Sequence, residues 1–239
     1  MLLNLMSILS STTSGSSLNA MCQYFSKTKI ESKIKLSVID RWSTSLKLVK
    51  TFADNIQNVL ETFQQSKRKE VILLFSAHSI PQYLMDRGDP YPAEVGATVL
   101  LVMEELKWCN PYRLVWQSKV GLVPWLKPGT KETIKDFVKV GYKNIILIPI
   151  SFVNEHIETL HELDIEYAND LAKKVGADRI ARCPAPNDHP IFIDGMADLV
   201  YTHLQHGPRV NPQLLLRWPK QANPSCGNTI DWLEKISKA

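Results

Sequence analysis

Five short apolar runs punctuate the chain: "IKLSVI" (34–39), "VILLFS" (71–76), "YRLVWQ" (112–117), "NIILIPI" (144–150) and "RIARCP" (179–184). The middle three are continuous rather than alternating, the pattern of strands buried on both faces. Between the runs lie stretches with helical period. Residues 43–65 open on Ser43 and repeat Leu46, Val49, Phe52, Ile56, Leu60 and Phe63 along one face. Residues 92–108 begin with Pro92, which suits a first helical turn. Segments 130–141 and 155–176 each end on a glycine, a common helix stop. A helix over 190–205 closes the regular part. Strand alternating with helix predicts an α/β fold built on a doubly wound parallel sheet. From about 207 the chain carries four prolines and predicts loop, then one short final helix, packed rather than loose because of its aliphatic and tryptophan residues.

Composition narrows the class. The chain has 239 residues, 44% hydrophobic and 22% charged, enough for a real core. The net charge is +4, but no positive run exceeds "KRK" (67–69), so no nucleic-acid footprint is expected. The four cysteines, Cys22, Cys109, Cys183 and Cys226, are far apart in sequence. That excludes a CxxC zinc site and points to reduced thiols. No apolar segment is long enough for a membrane span. No charged residue precedes Lys27, so neither the basic start of a secretory signal nor an arginine-rich presequence is visible. The expectation is either no cleavable address or a true beginning upstream of Met1.

In open parallel sheets, ligands bind beyond the carboxyl ends of the strands. After "VILLFS" comes His78. After "YRLVWQ" come Ser118, Lys119 and Trp125. After "NIILIPI" come Phe152, Glu155, His156 and Glu158. Polar and aromatic residues are thus delivered to one edge. At 100° per residue, Glu155, Glu158, Glu162 and Glu166 fall within an arc of about 80°. That stripe holds no lysine or arginine. A solvated helix face usually mixes signs, although a plain water-facing stripe has the same spacing. Two histidines titrating near neutrality beside several carboxylates suit metal handling or proton removal. Trp125, held between prolines in "VPWLKP", is equally a ligand wall or a core anchor.

The stretches "GSSLNA" (15–20), "LLFSAHSIP", "RGDPYP", "YRLVWQSKVGLVPWL" and "SFVNEHIETLHELDIEY" together resemble ferrochelatases, the animal mitochondrial branch above all. The resemblance covers roughly residues 11–206. It implies a chelatase-like fold of two similar α/β domains, of which this chain holds one complete domain plus a remnant of a second. The implied boundaries are 1–55 for the first-domain remnant, 56–204 for the second domain and 205–239 for a tail returning to the first. It implies insertion of ferrous iron into protoporphyrin IX to form protohaem, in mitochondria on the matrix side of the inner membrane. Peripheral membrane contact and a homodimer follow from the same source.

Carried over residue by residue, the resemblance makes His78, Glu158 and His156 catalytic. It makes Glu155, Glu162 and Glu166 a proton or metal conduit, and Trp125, Phe152, Arg87 and Tyr91 porphyrin contacts. Asp198 and His203 match inner-surface polar positions. There are two departures. Animal relatives hold an iron–sulfur cluster on four cysteines, but here Ser11, Trp218 and Gln221 stand at three of those places and Cys226 alone remains. One thiolate cannot hold a cluster that takes four, so no cluster and no required cofactor are expected, iron being a substrate. The resemblance also implies that the opening half of the first domain is missing from this chain. A catalytically inactive, truncated porphyrin- or haem-binding protein is therefore the alternative expectation.

Overall fold

The computed structural model describes residues 2–3, 7–8, 10–28, 36–39, 41–206, 231–232 and 235. Two parallel sheets occur among them. The smaller pairs β1 (Leu2–Leu3) with β2 (Val38–Ile39). The larger contains β3 (Ile72–His78), β4 (Tyr112–Gln117), β5 (Asn144–Pro149) and β6 (Arg179–Arg182) in spatial order β4-β3-β5-β6. Leu73 is level with Tyr112 on one side and with Ile146 on the other. The chain therefore leaves β3 outward to β4 and returns to lay β5 on β3's other edge. That reversal makes a crevice beyond the carboxyl ends of β3 and β5, the usual ligand position in such sheets.

The continuous apolar runs are explained by helices on both faces. Leu73, Phe75, Ala77, Ile146 and Ile148 point into a core shared with α2 (Leu46–Glu61), α4 (Tyr91–Glu105) and α7 (Pro190–His206). Ile72, Leu74, Ile145 and Leu147 point the other way, toward α5 (Thr130–Lys139) and a helical segment over Glu158–Leu171. Every one of these strand residues is buried, and each leucine, isoleucine or phenylalanine among them contributes about 1.5–3 kcal/mol of hydrophobic stabilisation. On the first face α7 lies close against α2. At Gly195 a Cβ would sit 2.7 Å from Lys47 Cβ, so glycine permits the approach.

Several expected elements differ in extent. The predicted strand at 34–39 is confined, among described residues, to Val38–Ile39. The helix expected over 43–65 starts after Ser45 and ends at Glu61, so the expected domain boundary at 55 falls inside it. The helix expected from 155 begins at Glu158 and is π-helical to Leu171 before a final α turn, α6 (Ala172–Val175). Gly176, at φ 72°, ends it as the glycine stop implied. Two helices carried no usable periodic signal. A π-helical turn at Ser11–Gly15 leads into α1 (Ser16–Thr28), and α3 (Gln82–Asp86) is a single short turn. Of the tail, Asp231 and Trp232 are helical, and the Trp232 ring stacks on Phe25 of α1 at 6.3 Å. Leu18, Cys22 and Val38 complete that small cluster. The positions Trp218, Gln221 and Cys226 lie outside the described residues, as does the Ser11 side chain.

Candidate functional site

His78 is the last residue of β3, and three hydrogen bonds fix it. Its backbone N–H donates to Ser151 Oγ at 3.1 Å, and its carbonyl accepts from Tyr91 Oη at 2.9 Å. Its ring Nδ1 lies 2.6 Å from the Ser79 carbonyl. A carbonyl only accepts, so Nδ1 carries the hydrogen and Nε2 is left with its lone pair. Tyr91 is buried, which holds its phenol well above the ordinary range and keeps it a donor.

Beyond β5 the chain turns through Ser151 and Phe152 before the π-helical segment. Phe152 stands between the two imidazoles, 6.5 Å from His78 and 4.6 Å from His156 by ring centroids, edge-on to both. His156 Nδ1 lies 2.9 Å from Glu158 Oε2. The pair is close but lacks the alignment of a hydrogen bond. His78, Tyr91, Phe152, His156 and Glu158 line one cavity of about 410 Å³. Ile8, Ser10, Thr12, Thr13, Ile80 and Ser151 complete its lining. Ser10 donates to the buried Asp89 at 3.2 Å, and Asp89 in turn accepts from the Tyr91 N–H. His78 and Glu158, expected to share a hollow, both line this one.

The other expected site residues lie elsewhere. Glu162 accepts from the Ser118 N–H at 2.9 Å, from Gln117 Nε2 at 3.1 Å, from Tyr167 Oη at 2.7 Å and from the Ser118 hydroxyl. It thereby stabilises Ser118 in a left-handed conformation at φ 61°. Burial, then the Glu162 contact, push the Tyr167 phenol far up. Glu155 takes Arg182 Nη1 at 2.7 Å and the Ala185 N–H at 2.9 Å on one oxygen. Oε1 so occupied holds the backbone of the next loop, while Oε2 is buried without a hydrogen-bond partner. Glu166 is at the surface, 3.2 Å from His161 Nδ1. Arg87 packs over the Tyr83 ring, and Trp125 pairs its backbone with Pro81; neither lines the cavity. Asp198 and His203 line a different hollow of about 510 Å³, between the start of α2 and the end of α7, where Lys47 bridges Asp194 and Asp198 at 2.5 Å each.

Sequence reasoning missed the hydroxyl wall of Ser10, Thr12 and Thr13, and it missed Arg182. The first lies in a Ser/Thr-rich stretch without period. The second ends β6, and asking what closes that strand, as for its neighbours, would have found it. Among the described residues no three His, Cys, Asp or Glu side chains form a cluster ready to hold a metal ion.

Chains of this architecture are known. SirB from Bacillus subtilis with Fe3+ superposes with a TM-score of 0.59 at 11% identity, covering 84% of this chain and 69% of that one. The fold is thus chelatase-like α/β. A model of the ferrochelatase family matches residues 1–204. The chain is 51% identical over 227 residues to the mitochondrial ferrochelatase of Drosophila melanogaster, which is 95% of this chain and 59% of that one. The corresponding protein of Gallus gallus is 52% identical over 220 residues, 92% and 55% of the two chains. The Rippkaea orientalis ferrochelatase is 40% identical over 198 residues. The chain belongs to the ferrochelatase family. It spans little more than half the length of the curated relatives it matches.

Proposed function

We propose that this chain inserts ferrous iron into protoporphyrin IX to give protohaem. The reaction exchanges two pyrrole protons for one divalent cation. His78 is the base: with Nδ1–H committed to the Ser79 carbonyl, Nε2 takes a pyrrole proton. Glu158, across the cavity, receives the second proton or draws water from the incoming cation, with His156 beside it. Phe152 and Tyr91 supply stiff aromatic walls against which a flat ring can be bent. Trp125 and Arg87 would meet only a part of the porphyrin extending beyond the cavity. Glu166, at the surface, is placed to begin a conduit. The observation that carries this reading is the single cavity shared by His78, His156 and Glu158.

The relatives' mitochondrial designation supports a mitochondrial address, and we place the reaction at the matrix side of the inner membrane. No helix among the described residues is long and apolar enough to cross a membrane, so contact there would be peripheral. A homodimer remains part of the proposal. The donor set Ser11, Trp218, Gln221 and Cys226 does not fit an iron–sulfur cluster, and the chain is proposed to work without one. Iron and acid-labile sulfide assays on protein purified without oxygen should find none.

A second reading is a chain that binds porphyrin or haem without turnover: Glu155 and Glu162 are engaged in holding neighbouring loops, and Glu158 alone of the four carboxylates lines the cavity. Anaerobic mixing with ferrous iron and protoporphyrin IX, followed by absorbance, separates the two. Haem formed by the chain and lost in His78→Gln supports insertion. Porphyrin bound with no metalation supports the binding protein, and no binding at all sinks both.

A further inference from the structure

We propose that Arg182 is a positioning residue, setting the geometry of the wall that carries Phe152, His156 and Glu158. The proposal rests on the functional reading above but reaches residues that reading does not use. Arg182 ends β6 with its side chain 13% exposed. Its Nη1 donates to Glu155 Oε1 at 2.7 Å, and its Nε donates to Asp164 Oδ1 at 2.6 Å. Glu155 immediately precedes His156, and Asp164 lies midway along the π-helical segment. One planar guanidinium thus grips the wall on both sides of His156 and Glu158. A planar fork with fixed angles sets the spacing of the two carboxylates, which the freely rotating donors of an ammonium would not.

The grip extends to a second loop. Glu155 Oε1 also accepts from the Ala185 N–H at 2.9 Å. The Glu155 N–H donates to Asn187 Oδ1 at 2.9 Å, and the Asn187 N–H donates to the Val153 carbonyl at 2.8 Å. The turn after β5 is therefore sewn to the turn after β6, with Arg182 and Glu155 at the centre. Asn187 is held at φ 47°, a left-handed conformation that asparagine tolerates. Glu155 then serves as the anchor of this seam. Arg182 does not line the cavity that holds His78 and Glu158, and it acts on that cavity through its carboxylates.

The test is hydrogen exchange by mass spectrometry on the full chain, with Arg182→Gln, Arg182→Lys and Glu155→Gln. Arg182→Gln should raise exchange in 152–158 and 183–187 and leave β3 and β4 unchanged. Porphyrin affinity, read by fluorescence quenching, should change little, while kcat falls by about 10-fold or more, the usual scale of a misplaced catalytic group. Arg182→Lys should recover part of both readouts, and Glu155→Gln should open the same two loops. Unchanged exchange in those loops, or a rise spread through β3, β4 and β5, overturns the proposal. Because exchange needs no turnover, a chain that proves inactive still tests the positioning role, and an active chain with quiet loops refutes it alone.

Discussion

A carboxylate with every lone pair in use is a strut, and Glu162 shows what that means at the scale of one residue. Four donors from β4's end and from Tyr167 converge on it. Glu162→Gln turns one acceptor oxygen into a donor facing other donors. The expected cost is about 1–3 kcal/mol, measured by urea unfolding. Glu155 adds a pH dependence. Burial pushes its carboxyl up, but the nearby Thr159 hydroxyl, the hydrogen bonds from the Ala185 N–H and Arg182, and the Arg182 charge outweigh burial and leave it below the ordinary 4.5. A depressed folded value contributes stability above the ordinary carboxylate range, and that stability is lost as pH falls through the folded value. The stability gap between the native chain and Glu155→Gln should therefore be full at neutral pH and vanish in acid. A gap constant across that range would show that the Glu155 charge contributes nothing. The residue scale is also where the sequence was hardest to read: a stripe without lysine or arginine looked unpaired, yet Arg182 reaches it from another strand.

At the scale of elements, legibility followed burial. β3 and β5 were plain because both faces of each are covered, so their central positions are apolar apart from Ser76, which bonds Gln117 and Thr130. His78, Phe152, His156 and Glu158 came with them, since a parallel sheet presents the residues that follow its strands. The acidic helix was legible as a helix but not as a π-helix. Its buried positions, Thr159, Leu163, Tyr167 and Leu171, recur every four residues, a spacing an α-helix also accepts. The wider turn shows only in what meets: Tyr167 bonds Glu162, and Glu166 pairs with His161, each five residues away. π-helical geometry often marks functional sites, and here it places Glu158 on the cavity and Glu162 on β4. Tyr167→Phe keeps the packing and removes one bond to a charged acceptor. A loss of about 1.5–3 kcal/mol in urea is expected, with increased exchange in 158–167.

At the scale of the whole molecule, the cavity is assembled from distant stretches. One wall comes from the turns after β3 and β5. The other, Ser10, Thr12 and Thr13, stands at the head of α1. α1 is short of burial of its own: Leu18 and Cys22 are its buried residues, and they meet Val38 and Trp232. The far end of the chain thus steadies the helix that carries the hydroxyl wall. Trp232→Ala removes the stacked ring from Phe25, and tryptophan-to-alanine changes in packed clusters cost about 3–5 kcal/mol. Because this cluster is small and separate from both sheet cores, the loss should stay local. Amide exchange should rise across 16–28 and leave 72–78 and 144–149 protected. On the proposed function, porphyrin affinity should weaken as well, since the hydroxyl residues that line the cavity with His78 are no longer held. Exchange in 16–28 that matches the native chain would mean that α1 is anchored by other contacts, and the tail's end would then have no part in forming the cavity.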